Sequence, residues 1–198
     1  MSKKRPAEDL EQVEVKSRAG LRARLTANHH QTESIWLITY KKAVPDWYVD
    51  YDTIVEECLC FGWVDSLTRA KDDQRSMLLL APRKTSSAWS GSNKRRVEKL
   101  LAAGLMESPG LAKIEAAKAN GMWTFLDDVE AVISPPDLVE ALERYPDAKA
   151  HFDAFPRSPK RGILEWIKQA KKPETRAKRI EETASLAQDN TRANQLLR

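Results

Sequence analysis

Apolar and polar positions alternate with different periods along the chain. The run Ile35-Trp36-Leu37-Ile38-Thr39-Tyr40 hardly alternates and is rich in β-branched and aromatic residues, which predicts a strand buried on both faces. Before it, Leu21 and Leu25 share one face of a segment that Ser17 can cap, predicting a helix to about His30. After it, Ile54, Val55, Cys58 and Leu59 form an apolar stripe over residues 52–60. Gly62 is placed to end that helix in the left-handed conformation. Residues 63–67 and 75–81 then read as two strands of a hairpin, joined through the charged turn Lys71-Asp72-Asp73-Gln74 and stopped by Pro82.

Beyond this point helix signals dominate. Ser90 or Ser92 can cap a helix that Gly104 terminates, and Ser108-Pro109 opens another that Asn120-Gly121 closes. Ser134-Pro135, Pro146, Ser158-Pro159 and Pro173 repeat the start signal at uneven intervals, and Pro173 drives Lys172 to extended geometry. The pattern predicts an α+β fold: a small, mostly antiparallel sheet with helices in the N-terminal half, followed by a compact bundle of short helices. The expected organisation is a flexible tail over 1–16, with a short strand at Val13-Glu14-Val15, an α+β domain over 17–130 and a helical module over 131–198.

Composition adds limits. With 198 residues, 41% hydrophobic, 31% charged and six Trp, the chain can bury a sizeable core, which excludes wholesale disorder, a disulfide scaffold and a fibrous repeat. The net charge of +4 hides a strong asymmetry. Residues 125–155 hold two basic and eight acidic side chains, a net −6, and residues 156–198 hold eleven and five, a net +6. Either the acidic helices pack beside the basic ones and cancel the field, or the basic cluster is a footprint for nucleic acid or another polyanion.

Common catalytic signatures are missing. The three His and two Cys make no zinc-type spacing, the seven Gly make no phosphate-binding loop, and no Gly-x-Ser-x-Gly elbow occurs. Neither a metal nor a cofactor is expected. Cys58 and Cys60 are too close for an easy bridge, which predicts reduced thiols and a cytoplasmic setting. The longest apolar stretch, Met77 to Ala81, is too short for membrane insertion, and no secretory signal is evident.

One constellation suggests a site. On the strand after Gly62, Trp63 and Asp65 share a face, and the hairpin returns Arg83 towards them. With Trp89, Ser90 and Asn93 they supply an aromatic wall, a carboxylate, a guanidinium and an amide for a small polar ligand. The competing reading is structural: a buried Asp65–Arg83 salt bridge, two core tryptophans and Ser90 as a helix cap. Cys60 as a nucleophile lacks a neighbouring base. Lys171, Arg176 and Arg179 are candidates for anion or partner binding, with Arg176 and Arg179 on one helix face, turned to the acidic segment or to an external anion.

Several clusters recur in a telling order: Trp36 with Tyr40-Lys41-Lys42, Cys60-Phe61-Gly62-Trp63-Val64-Asp65-Ser66, Pro82-Arg83, Trp89-Ser90 with Asn93, Trp166-Ile167, Ala170-Lys171, Pro173-Glu174-Thr175-Arg176 and Arg179-Ile180. In this spacing the chain resembles the YdeI/OmpD-associated, or bacteriocin-protection, family over about residues 17–185, with Val64 where Ile is common. The resemblance implies a bacterial protein associated by name with bacteriocin protection and envelope stress, and it brings no catalytic residues. The expected activity is therefore binding of a protein partner or small polar ligand rather than catalysis. The alternatives are nucleic-acid binding through the basic C-terminal helices, and an enzyme with a pocket around Asp65, Arg83 and Trp89.

Overall fold

The computed structural model describes residues 9–194. The chain divides into two compact units, the first ending at Thr124 and the second beginning at Phe125. Among the described residues, no helix is long and apolar enough to cross a membrane.

The first unit is built on a four-stranded sheet of order β1-β2-β4-β3. Its strands are β1 (Gln12–Glu14), β2 (Ile35–Tyr40), β3 (Trp63–Ala70) and β4 (Arg75–Pro82). All six residues of β2 are buried, as the unbroken apolar run predicts for a strand flanked on both sides. β2 and β3 each pair antiparallel with β4, so the hairpin forms as expected. The sheet is nevertheless mixed, because β1 runs parallel to β2, with Val13 opposite Leu37. That edge comes from the stretch expected to be a flexible tail: β1 is ordered by the ladder and followed by Val15, 4% exposed. The remainder of the expected tail, residues 1–8, lies outside the described residues.

Among the described residues, four α-helices and a short 3-10 turn (Pro45–Trp47) accompany the sheet: α1 (Arg18–Asn28), α2 (Tyr51–Cys60), α3 (Gly91–Ala102) and α4 (Ser108–Ala119). Ser17 caps α1 by accepting from the Gly20 N–H, and Asp50 caps α2 by accepting from the Thr53 N–H. Leu21, Leu25, Leu37, Ile54, Leu59, Leu80 and Leu100 belong to one buried apolar cluster of this unit. Two carboxylates of α2, Glu56 and Glu57, are also buried; Glu57, fully so, accepts from Arg18 Nε at 2.6 Å and Arg22 Nη1 at 2.9 Å, which ties α1 to α2. Such a charge is tolerable only because both its oxygens are paired.

The second unit is all helical: α5 (Asp127–Glu130), α6 (Pro136–Glu143), α7 (Ala148–Ala154), α8 (Arg157–Lys168) and α9 (Pro173–Gln188). Prolines open α6 and α9 close to the expected positions, whereas the expected start Ser158-Pro159 lies inside α8. Pro156 precedes α8, and α9 opens at Pro173 after an extended Lys172 (φ −114°, ψ 140°). Phe152, Ile163, Leu164, Ile167 and Ala184 are buried in this unit.

Candidate functional site

The join between α2 and β3 brings together most of the residues singled out in the first unit. Gly62 has φ +71°, a conformation an L-residue resists, and a Cβ there would lie 3.0 Å from the Pro109 carbonyl. The turn sends β3 off with Trp63 opposite Pro82 and Asp65 opposite Leu80. One step past the ladder, the Arg83 N–H donates to the Gly62 carbonyl at 2.9 Å. Arg83 is thereby fixed beside the start of β3, where the hairpin arithmetic expects it.

Arg83 as a whole is 3% exposed. It lies over the Trp89 ring, 3.8 Å from the centroid, and its Nη2 donates to the Ala88 carbonyl at 2.6 Å. Its Nε and Nη1 are buried and have no hydrogen-bond partner among the described residues. The indole Nε1 of Trp63, itself 1% exposed, is buried and unpartnered in the same way. Buried donors are almost always satisfied, so these atoms are the least explained polar groups of the unit.

The expected Asp65–Arg83 salt bridge does not form. Asp65, only half-buried, accepts instead from the Tyr51 hydroxyl at 2.5 Å, and Tyr51 comes from the first turn of α2. Asp65 still acts on Arg83 through its field. Burial pulls the guanidinium down to about 10 from 12.5, and the Asp65 charge opposes that fall. Burial and the bond to Asp65 push the Tyr51 phenol up to about 12. Tyr51 is a member of the cluster that no sequence motif flagged, since its link to Asp65 is purely tertiary.

The other candidates in this unit fall into structural places. Trp89 is 1% exposed and stacks at a tilt on Trp123, centroids 5.1 Å apart. Ser90 caps α3 by accepting from the Asn93 N–H at 3.3 Å. Cys58 and Cys60 are free and buried, and burial raises both thiols, which opposes thiolate formation. The cluster thus holds hydrogen-bond donors, a carboxylate, a phenol and indole rings. Among the described residues no group of three or more His, Cys, Asp or Glu is placed to hold a metal ion.

In the second unit the opposite charges meet. Arg176 makes two bonds to Asp137, at 2.7 and 2.8 Å, and Lys168 reaches Asp128 at 2.5 Å. Arg144 pairs with Glu181, and Arg161 with Glu165 and Glu130. Arg179 does not face an acid: it donates to the Trp166 carbonyl and stacks on the Trp166 ring, 4.8 Å from the centroid. Lys171 is exposed. Much of the basic cluster is therefore engaged within its own unit.

Two family models match the chain. Residues 13–113, just over half of it, match a domain of unknown function (DUF8412), and residues 131–190 match the family described as bacteriocin-protection, YdeI or OmpD-associated. The YdeI/OmpD-associated match thus falls on the helical unit and is narrower than the 17–185 implied by the residue clusters, whose N-terminal members lie in the other match. No curated protein and no solved structure matches the chain. The chain belongs to the DUF8412 family through residues 13–113, and at residues 131–190 it carries the YdeI/OmpD-associated, bacteriocin-protection segment.

Proposed function

We propose that the protein acts by binding a small polar ligand at the Arg83 end of the β3–β4 hairpin. One observation carries this reading: Arg83, 3% exposed, has two guanidinium donors that no described residue satisfies. Leaving a buried donor unmade costs about 1–3 kcal/mol, more for a charged group. A fold that only needed to fill this space would do better with an apolar side chain, so the arrangement favours an acceptor brought from outside. The indole of Trp89 holds the guanidinium plane, and Asp65 with Tyr51 supplies a polar edge nearer the surface.

The nucleic-acid reading is less supported, because Arg176, Lys168 and Arg161 are held by acids of their own unit. The enzymatic reading is less supported, because burial raises both thiols and so opposes a cysteine nucleophile. A cytoplasmic setting goes with two buried, free thiols.

Thermal unfolding of the wild type and of Arg83→Met, each with acetate, phosphate and the free protein amino acids as separate additions, tests the proposal. A ligand at about 100 times its Kd stabilises by about 2.7 kcal/mol, a rise of several degrees in Tm. At least one addition is expected to raise the wild-type Tm in this way and to leave Arg83→Met unmoved. No response to any of them, or an equal response in the variant, overturns it.

A further inference from the structure

A cavity of about 480 Å³ opens at the Arg75 end of β4, opposite to the Arg83 end, lined by Tyr40, Trp47, Asp72, Asp73, Gln74 and Arg75. Three segments converge there: the end of β2, the Pro45–Trp47 turn and the charged turn of the hairpin. Tyr40 and Arg75 are ladder partners, and the Tyr40 and Trp47 rings meet edge to face, centroids 4.9 Å apart. Trp47 stays 42% exposed, so an apolar, electron-rich wall is open to solvent. That indole attracts cations: the Lys16 ammonium lies over its ring, 4.1 Å from the centroid.

The charges beside this wall leave a carboxylate unanswered. Arg75 is shared between Glu14, at 3.1 Å, and Asp72, at 2.7 Å. The Asp72 carboxylate also accepts the Gln74 and Arg75 N–H groups. Asp73 is exposed and has no ion pair or hydrogen bond among the described residues. Lys41 donates to the Asp72 carbonyl and Lys71 to the Gln12 side chain, and neither pairs with Asp73. Lys42 lies outside the lining. An anion in this cavity would meet Asp72 and Asp73, and a neutral molecule would leave Asp73 without a counter-ion. We propose that the cavity binds a small organic ammonium, its methyl groups on the Trp47 indole and its charge beside Asp73. A methylated ammonium suits an indole wall with one carboxylate, because its charge is drawn to the ring face without hydrogen bonds. The contacts involve no covalent step, and the site is independent of the one proposed at Arg83.

A matched pair of probes tests this: choline, and 3,3-dimethylbutan-1-ol, which has the same shape with carbon in place of the charged nitrogen. Each is titrated at constant ionic strength into the full-length wild type and Asp73→Asn. The readout is the Trp47 Nε1–H in proton–nitrogen spectra, identified by its loss in Trp47→Phe. Choline is expected to shift this resonance saturably, with a Kd about tenfold below that of the alcohol. The Trp63 Nε1–H, at the other end of the hairpin, should stay fixed. In Asp73→Asn the preference for choline should shrink several-fold. An alcohol that binds as tightly as choline overturns the ammonium, and no saturable shift with either probe overturns the site. A shift at Trp63 with Trp47 unmoved places the cation elsewhere and overturns it equally. A preference unchanged in Asp73→Asn overturns Asp73 as the counter-ion.

Discussion

Asp65 and Arg83 share one end of the β3–β4 hairpin without forming an ion pair: the carboxylate is held at 2.5 Å by the Tyr51 hydroxyl, and the guanidinium lies 3.8 Å over Trp89. The buried charge is thus stabilised by an aromatic face and one carbonyl, and two of its nitrogens have no acceptor among the described residues. A fall from 12.5 to about 10 means that the fold disfavours the charged form by about 3 kcal/mol.

Removing that charge should therefore not weaken the ligand-free protein. Arg83→Met keeps much of the side-chain volume and relieves the orphaned donors, and its unfolding free energy in denaturant should be unchanged or higher by about 1–2 kcal/mol. A loss beyond about 2 kcal/mol would show that the stack on Trp89 and the Ala88 bond outweigh desolvation.

Tyr51 gives an alkaline signature. Its phenol is raised to about 12, so the folded state holds the proton between pH 10 and pH 12, where the unfolded chain has lost it. The stability from this group is complete below pH 10 and is lost as pH rises through 12. Ultraviolet difference titration should show a tyrosine ionising near 12 that is absent in Tyr51→Phe. Burial is the larger cause, so in Asp65→Asn the value should fall only part of the way towards 10.

Two glycines should respond in opposite directions to the same substitution. A Cβ on Gly110 would lie 2.3 Å from the Cys60 carbonyl and 2.6 Å from that of Leu59, both backbone atoms, where α4 packs on the end of α2. Gly110→Ala should cost about 2–3 kcal/mol, read from denaturant midpoints. Gly162 lies within α8, where an added methyl would meet nothing within 4 Å, and Gly162→Ala should add about 0.5–1 kcal/mol.

Acid should act on the helical unit through Asp137. The bond from Arg176 holds its carboxyl below the usual 3.8, so its contribution is present above 3.8 and is lost as pH falls through the lowered folded value. Carboxyl carbon NMR should show Asp137 titrating below 3.8 in the wild type and returning towards it in Arg176→Gln. An unshifted Asp137 in the wild type would mean that the pair is open to solvent.

Much of this architecture was legible in the residue pattern. The unbroken run at β2, the Gly62 stop and the charged turn each had one local solution, and together they placed Arg83 beside Trp63. The segments of −6 and +6 left internal pairing and a polyanion footprint both open, and pairs such as Arg176–Asp137 follow the first. Less legible were the parallel pairing of β1, since a three-residue polar strand has little pattern to read, and the four-residue α5. The fate of Asp65 was not legible at all. It depends on Tyr51 arriving from α2, fourteen residues away, and on a register shift in the ladder just after Asp65. Periodicity places a side chain on a face, but the choice between two partners on that face is made by tertiary geometry.

The most direct measurement is the proton–nitrogen correlation spectrum of the Arg83 Nε–H and the Trp63 Nε1–H in the full chain, followed while the protein amino acids are added one at a time. The account predicts that one of them shifts both resonances together and saturably, with no such change at Arg179, which is already bonded to the Trp166 carbonyl. Two resonances that stay fixed throughout, with acetate and phosphate also without effect, would contradict a ligand site at Arg83.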